Sequence, residues 1–231
     1  MDLRTLEFDL IKEKYGYEWW QHDLMTFHFE KDVANFFGAP YAVSVDSCTH
    51  ALEICLRELC NKDDVITLPS WNYWSVPMTM EKIGVPYQFK DIKWQGMYKL
   101  DPYPIWDCAV HWERNTYKPG QFMCLSFHHK KSIPVGRGGM ILLDDKDLHY
   151  KWSKLRFDGK DFFKGTHSND IDVLGYHYYM HARDICRGIL LFDELKDNPW
   201  TPWSWEKYID LSTFTCFKHV SILKDVKNYD L

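Results

Sequence analysis

Cys124-Leu125-Ser126-Phe127-His128-His129-Lys130-Lys131 carries an apolar run into a serine, two histidines and two lysines, and Gly136-Arg137-Gly138-Gly139 then turns the chain into the apolar Met140-Ile141-Leu142-Leu143. An amine held just past a strand end is well placed to attack a carbonyl carbon. That chemistry suits pyridoxal phosphate (PLP). PLP needs a lysine for its aldehyde, an acid beside its pyridine nitrogen, a flat group against its ring and several donors for its phosphate. Lys131 is the candidate amine. Local spacing does not separate it from Lys130, and the pair also reads as two surface lysines after a strand.

The remaining requirements have candidates near strand ends, where open α/β sheets bind ligands. Asp107 sits in the apolar run Ile105-Trp106-Asp107-Cys108-Ala109, where an unpaired carboxylate is costly. An ion pair to a protonated ring nitrogen would offset that cost; a cap on the following turn is the other reading. Ser47, Thr49 and the amides of Thr49 and His50 stand at a strand-to-helix junction. Such a junction attracts phosphate through free N–H groups and the helix dipole, and the same residues are also ordinary caps. Trp71, Asn72, Tyr73 and Trp74 follow Pro69-Ser70, and one of these rings could stack on a cofactor or simply fill a core. Ser126 could give a hydroxyl to the phosphate or cap the next turn. His128, His129 and His177 could be donors, acid–base groups or structural residues.

The elements that must position these groups follow from hydrophobic periodicity. The segment through Phe36-Phe37-Gly38 reads as helix ending at a glycine. Residues 41–45 read as a buried strand and 51–59 as a helix with Ala51, Leu52, Cys55, Leu56 and Leu59 on one face. A second strand over 65–68 stops at Pro69, a helix over 76–82 breaks at Gly84, and Pro86 makes the strand over 85–89 compatible with a sheet edge. Strands near 122–127 and 140–143, a helix over 146–157, a loop over 158–172 and one or two helices over 176–195 follow. Trp200, Trp203 and Trp205 lie in a turn-rich tail, and the last residues carry no assignable pattern. Strand–helix alternation of this kind predicts an α/β sheet.

At 231 residues the chain is long enough for one large domain, or one domain with a loose tail. A formal charge of −5 provides no basic face for nucleic acid. No segment reads as a membrane span and the charged start does not read as a signal peptide, so the expectation is a cytoplasmic protein without a membrane partner. The seven cysteines are odd in number and widely spaced, which favours free thiols in a reducing compartment. Without tight paired ligand spacing, no metal site is expected. The Gly136–Gly139 loop lacks both the dinucleotide-loop spacing and the Walker ending.

Taken in order, Val43-Ser-Val-Asp-Ser-Cys-Thr-His-Ala-Leu52, Val65-Ile-Thr-Leu-Pro-Ser70, Lys90-Asp-Ile92, Trp106-Asp-Cys-Ala109, Leu125-Ser-Phe-His-His-Lys-Lys131 and Gly136-Arg-Gly-Gly139 resemble the DegT/DnrJ/EryC1/StrS sugar aminotransferases, over roughly residues 25–190. The resemblance implies the large domain of the PLP-dependent transferases: a three-layer α/β/α sandwich with a mostly parallel sheet. That domain would cover residues 1–190, and 191–231 would form a rudimentary C-terminal segment with little or no small domain. It implies a homodimer that moves an amino group from an amino acid, glutamate being the expected donor, to a keto group of a nucleotide-linked sugar. The family's Schiff-base lysine falls on Lys131, its phosphate serine on Ser126, its pyridine-nitrogen aspartate on Asp107 and its ring-stacking aromatic on Tyr73. The phosphate threonine and the following amide fall on Thr49 and His50. Where the family's second subunit sends an asparagine to the phosphate, Gly175-Tyr176-His177-Tyr178 offers His177.

Several departures stand out. Cys48 replaces the glycine before the phosphate threonine, and Val110 replaces the Gln or His common three residues past the aspartate. The family's helix and central strand between the 99–101 region and the aspartate strand are missing, so that strand should pair directly with the second strand or the sheet should be locally irregular. A related PLP-dependent dehydratase would carry histidine in place of the lysine, against which both Lys130 and Lys131 argue. The alternative from another class is a catalytically silent homodimeric scaffold or partner subunit.

Overall fold

The computed structural model describes residues 5–161 and 171–223. The opening helical segment is two helices, α1 (Leu6–Tyr15) and α2 (His22–Phe37). Gly16 separates them at φ +73°, a conformation that costs a residue without Cβ little. Then come β1 (Tyr41–Val45), α3 (Cys48–Leu59), β2 (Ile66–Pro69), α4 (Ser75–Ile83) and β3 (Tyr87–Lys90). The second half holds β4 (Tyr98–Leu100), β5 (Ile105–Asp107), β6 (Phe122–Ser126), β7 (Gly139–Leu143), α5 (Lys146–Leu155), α6 (Ala182–Leu195) and β8 (Ile222–Leu223). The expected helix over 176–195 forms only from Ala182, because Tyr176 and Tyr178 hydrogen-bond the backbone of Leu155 and Arg156 instead. Part of the expected 158–172 loop, 162–170, lies outside the described residues.

The strands form a five-stranded sheet in the order β1-β7-β6-β5-β4 and a three-stranded sheet in the order β2-β3-β8. Strands β5 and β6 are parallel, as are β2, β3 and β8, while β4 and β7 run against their neighbours. The carboxyl ends of β1, β5 and β6 therefore open on one side. Strand β3 is central in its sheet, not an edge; Pro86 stands just before it and offers its carbonyl to Ile66 N–H.

The short connection before Asp107 is accommodated by irregularity. Three-residue β4 occupies the flank of β5, so β5 does not reach β2. One antiparallel bridge joins the two sheets: Thr67 N–H donates to Asp101 O at 2.8 Å, and Asp101 N–H donates to Thr67 O at 3.1 Å.

Both faces of the larger sheet are buried, which is why its strands read as continuous apolar runs instead of alternating ones. Val43, Val45, Cys124, Ile141 and Leu143 join the core beneath α3 and α5, whereas Ala42, Met123, Leu125, Met140 and Leu142 join the core beneath α2 and α6. This is the period-two alternation of a strand between two helical layers. Trp152 of α5 is wholly buried against the first face and Phe29 of α2 against the second. Inside this frame Glu30 and Arg156 form a buried ion pair, and Glu30 also accepts from Ser44 N–H at 2.6 Å and Ser44 Oγ at 2.8 Å.

Residues 196–223 do not form a separate body. Leu211 and Phe217 are buried in the first core, with Trp203, Trp205, Tyr208 and Phe214 packed against it, and β8 extends the smaller sheet. No helix among the described residues is long and apolar enough to cross a membrane, and all seven cysteines are free thiols.

Candidate active site

A cavity of about 680 Å³ opens where β1, β2, β5 and β6 end. Thr49, Tyr73, Asp107, Ser126 and Lys131 all line it. Five positions far apart in sequence are thus brought together, while His50 and His177 are not among the lining residues.

Asp107 closes β5 and is only 6% exposed. Its Oδ2 accepts from the Tyr98 hydroxyl at 2.6 Å and its Oδ1 from Ala109 N–H at 2.9 Å. Burial pushes its carboxyl above the usual range, and Tyr98, the Ala109 amide and the positive charge of Lys131 pull it back. Lys131 follows β6 in a turn closed by its own N–H to His128 O at 2.9 Å. The loop around it is fixed at both ends, by Phe127 N–H to Gly138 O at 2.9 Å and Gly136 N–H to Phe127 O at 3.1 Å, with Ile133 and Val135 buried beneath. Burial lowers the Lys131 pKa from the ordinary lysine value; Asp107 and Cys48 oppose that shift, and Lys130 adds to it. No direct ion pair joins Asp107 to Lys131 among the described residues. Lys131 is the member of the lysine pair set in a low-dielectric wall.

Thr49 lies in the first turn of α3, with its hydroxyl 2.9 Å from Ser75 Oγ. Gly139 permits this arrangement, since a Cβ there would overlap the Ser47–Cys48 peptide that starts the helix. The His50 amide is bound by the Ser47 hydroxyl at 3.2 Å, which is the helix cap. The His50 ring pairs with Asp46 and stacks on Tyr178 with centroids 3.7 Å apart. Ser126 Oγ accepts weakly from His128 N–H at 3.4 Å. His177 is on the surface, 3.0 Å from Asp158.

Tyr73 is 49% exposed and leans on Trp74, with centroids 4.6 Å apart. The ring placed against the amine is another one: Trp203, whose centroid lies 4.8 Å from Lys131 Nζ. Trp203, Lys207, Tyr208, Ile209 and Leu211 form one wall of the cavity. Gly96 N–H to Trp203 O at 2.9 Å, Trp205 N–H to Trp94 O at 3.0 Å and Leu211 N–H to Ser70 O at 2.9 Å hold this wall to the sheet. Sequence reasoning missed Tyr98, Tyr208 and this wall. Only the clustered tryptophans of the tail hinted at it.

Lys130, Lys131, Arg137 and Lys207 line the cavity, against Asp107 as the one carboxylate among the described lining residues. Arg137 Nη2 is paired with Asp46 Oδ2 at 2.9 Å, so in a chain of net charge −5 it is the three lysines that make a local field for anions. Hydroxyls at a helix start, an amine of lowered pKa and a buried carboxylate across from it form a donor set that fits PLP.

Comparisons with known proteins bear on the fold and the family. The chain is 27% identical over 176 residues to the Bacillus subtilis spore coat polysaccharide biosynthesis protein SpsC, covering 57% of this chain and 45% of that protein. Among solved structures, Helicobacter pylori PseC, an aminotransferase involved in the biosynthesis of pseudoaminic acid, superposes with a TM-score of 0.61 at 15% identity, covering 78% of this chain and 63% of PseC. A candidate sugar aminotransferase from Streptococcus pneumoniae in its PLP form matches with a TM-score of 0.61 at 16% identity, covering 74% and 59% of the two chains. The chain spans about half the length of the curated relatives it matches. The family model for these enzymes covers residues 2–106 and 109–191, with Asp107 and Cys108 in neither matched segment. By that match the chain belongs to the DegT/DnrJ/EryC1/StrS aminotransferase family.

Proposed function

We propose that this chain binds PLP and transfers an amino group from an amino acid, glutamate in the first instance, to a keto carbon of a nucleotide-linked sugar. One observation carries the reading: Lys131 and Asp107, both drawn out of water, line one cavity without neutralising each other by direct contact. When bound, PLP supplies an electron sink for breaking bonds at the nitrogen-bearing carbon. Lys131 Nζ, made more available as a free amine by burial, is the covalent tether for the cofactor and carries the proton to and from that carbon. Asp107 holds the proton on the pyridine nitrogen. Thr49 Oγ1 and Ser126 Oγ anchor the phosphate, and Tyr73 at the cavity mouth packs on the ring. Lys130 and Lys207 favour an anionic substrate.

The working form is a cytoplasmic homodimer in which His177 of each protomer reaches the phosphate bound by the other; its surface position outside its own cavity suits that role. Residues 1–190 act as the large domain, and the 191–231 segment supplies the substrate-side wall through Trp203, Lys207 and Tyr208. A second reading, a catalytically silent homodimeric scaffold or partner subunit, draws on the short connection before Asp107, where three-residue β4 stands in the sheet.

The test is an absorption spectrum of the purified protein with PLP, before and after borohydride, with peptide mass mapping and a screen of amino donors. A visible band, a pyridoxyl label on Lys131 and conversion of glutamate to its keto acid with a keto-sugar nucleotide are expected. Label without transfer would favour the scaffold, and the absence of both would remove the cofactor reading.

A further inference from the structure

Tyr98 stands directly across the β4–β5 ladder from Asp107, and its hydroxyl donates to Asp107 Oδ2 at 2.6 Å. It is 5% exposed, packs against Trp94 with ring centroids 4.9 Å apart, and lines the cavity. It comes from the three-residue strand that fills the gap left by the short connection. Three residues past Asp107, Val110 is buried in the cavity wall and offers no polar group. The carboxylate's two observed donors are therefore a phenol from the neighbouring strand and the Ala109 amide in the turn after its own.

We propose that Tyr98 is a positioning residue: its hydroxyl keeps Asp107 ionised and aimed into the cavity, so that Asp107 can hold a protonated pyridine nitrogen. The inference rests on the PLP reading above and adds a residue to it. A buried carboxylate with one oxygen bound by a phenol and the other by an amide keeps one lone pair on each for a further donor. Hydrogen bonds to the charged form favour that form. The groups that face Asp107 are Tyr98 on β4, Lys131 after β6, Cys48 on α3, Cys108 on its own strand and Tyr208 from the C-terminal wall. Of these side chains, Tyr98 alone is within hydrogen-bond distance of the carboxylate.

The sign of the pH effect follows. Removing the hydroxyl destabilises the carboxylate, so Asp107 takes up its proton at higher pH. PLP binding that depends on the carboxylate should then fail at higher pH as the solution is acidified. The experiment measures PLP dissociation constants across acid to neutral pH for the full chain and for Tyr98→Phe, which keeps the ring. A charge-assisted hydrogen bond of this kind corresponds to about a tenfold to hundredfold loss of affinity, and the acid limb should move upward. In an Asp107→Asn background, Tyr98→Phe should leave no acid limb to move. A uniform loss of affinity with the limb unmoved would overturn the proposal, because that is what a packing role alone would produce. Should Tyr98→Phe fail to fold, 3-fluorotyrosine placed at 98 serves instead: the stronger donor should move the limb downward, and an unmoved limb overturns the proposal. Failure of the unaltered chain to bind PLP would remove the underlying reading; normal binding with an insensitive limb would remove only the role of Tyr98.

Discussion

Two pairs of opposite charge in this protein, Glu30 with Arg156 and Asp107 with Lys131, are built in opposite ways. Glu30 and Arg156 meet directly, and Ser44 takes up more of their hydrogen-bonding capacity through its hydroxyl, its N–H and its carbonyl. Asp107 and Lys131 face one cavity without meeting, and the donors on Asp107 are a tyrosine and an amide. The first pair satisfies itself and fixes α2 to β1 and the end of α5. The second leaves charge across open space, which a folded chain sustains only at a cost and which a ligand can relieve. A buried ion pair by itself is weak evidence of function; a buried carboxylate and a half-buried amine held apart around a cavity are much stronger.

Substitutions can break this contrast. The largest functional effect belongs to Lys131→Ala: the borohydride adduct should vanish and any amino transfer should fall by at least about 10²- to 10⁴-fold, with the thermal midpoint little changed. An adduct that moves to Lys130 would reassign the amine. Glu30→Ala should do the reverse, losing about 3–5 kcal/mol in a urea titration by stranding buried Arg156, while whatever protein stays folded still labels at Lys131. Equal loss of labelling and stability in both variants would erase the distinction between the two pairs.

A smaller effect sharpens it. Trp203 helps keep water from Lys131, whose pKa burial lowers. Trp203→Ala readmits water, so that pKa should rise toward the ordinary lysine value and the pH midpoint for reaction with PLP should rise with it. A midpoint that stays put would mean the shielding comes from the loop and not from the tail. The smallest change in stability belongs to His177→Ala. The exposed contact with Asp158 contributes at most about 1 kcal/mol, so a melting curve should hardly move, whereas PLP affinity should fall if His177 serves the neighbouring protomer. Unchanged affinity would confine His177 to its contact with Asp158.

The strands were legible because those around 41–45, 122–126 and 139–143 are apolar on both faces and stop at recognisable punctuation. Their directions were not: the mostly parallel sheet expected is mixed, with three antiparallel pairings of four in the larger sheet. Lys131, Asp107, Thr49 and Ser126 were legible because each sits where a strand gives way to a turn or helix. Tyr98 was not, since a three-residue strand has too few positions to show a period. The C-terminal wall was hidden for another reason: Trp203 and Tyr208 owe their places to backbone bonds with residues near 95, and such long-range pairing leaves no local pattern. Tyr176 shows the same limit, where pairing with Leu155 overrode a helical reading.

The bridge between Thr67 and Asp101 has a mechanical consequence. Among the described residues two hydrogen bonds form the one backbone bridge between the sheets, whose side chains otherwise share an apolar core. The cavity lies beside it: Asp107 and Ser126 end strands of the larger sheet, and Tyr73 follows β2 of the smaller one. A molecule filling the cavity must grip both, and that grip should register as slower deuterium uptake at the amides of Thr67 and Asp101. The bridge between the two sheets would then serve as the gauge of whether the site is full.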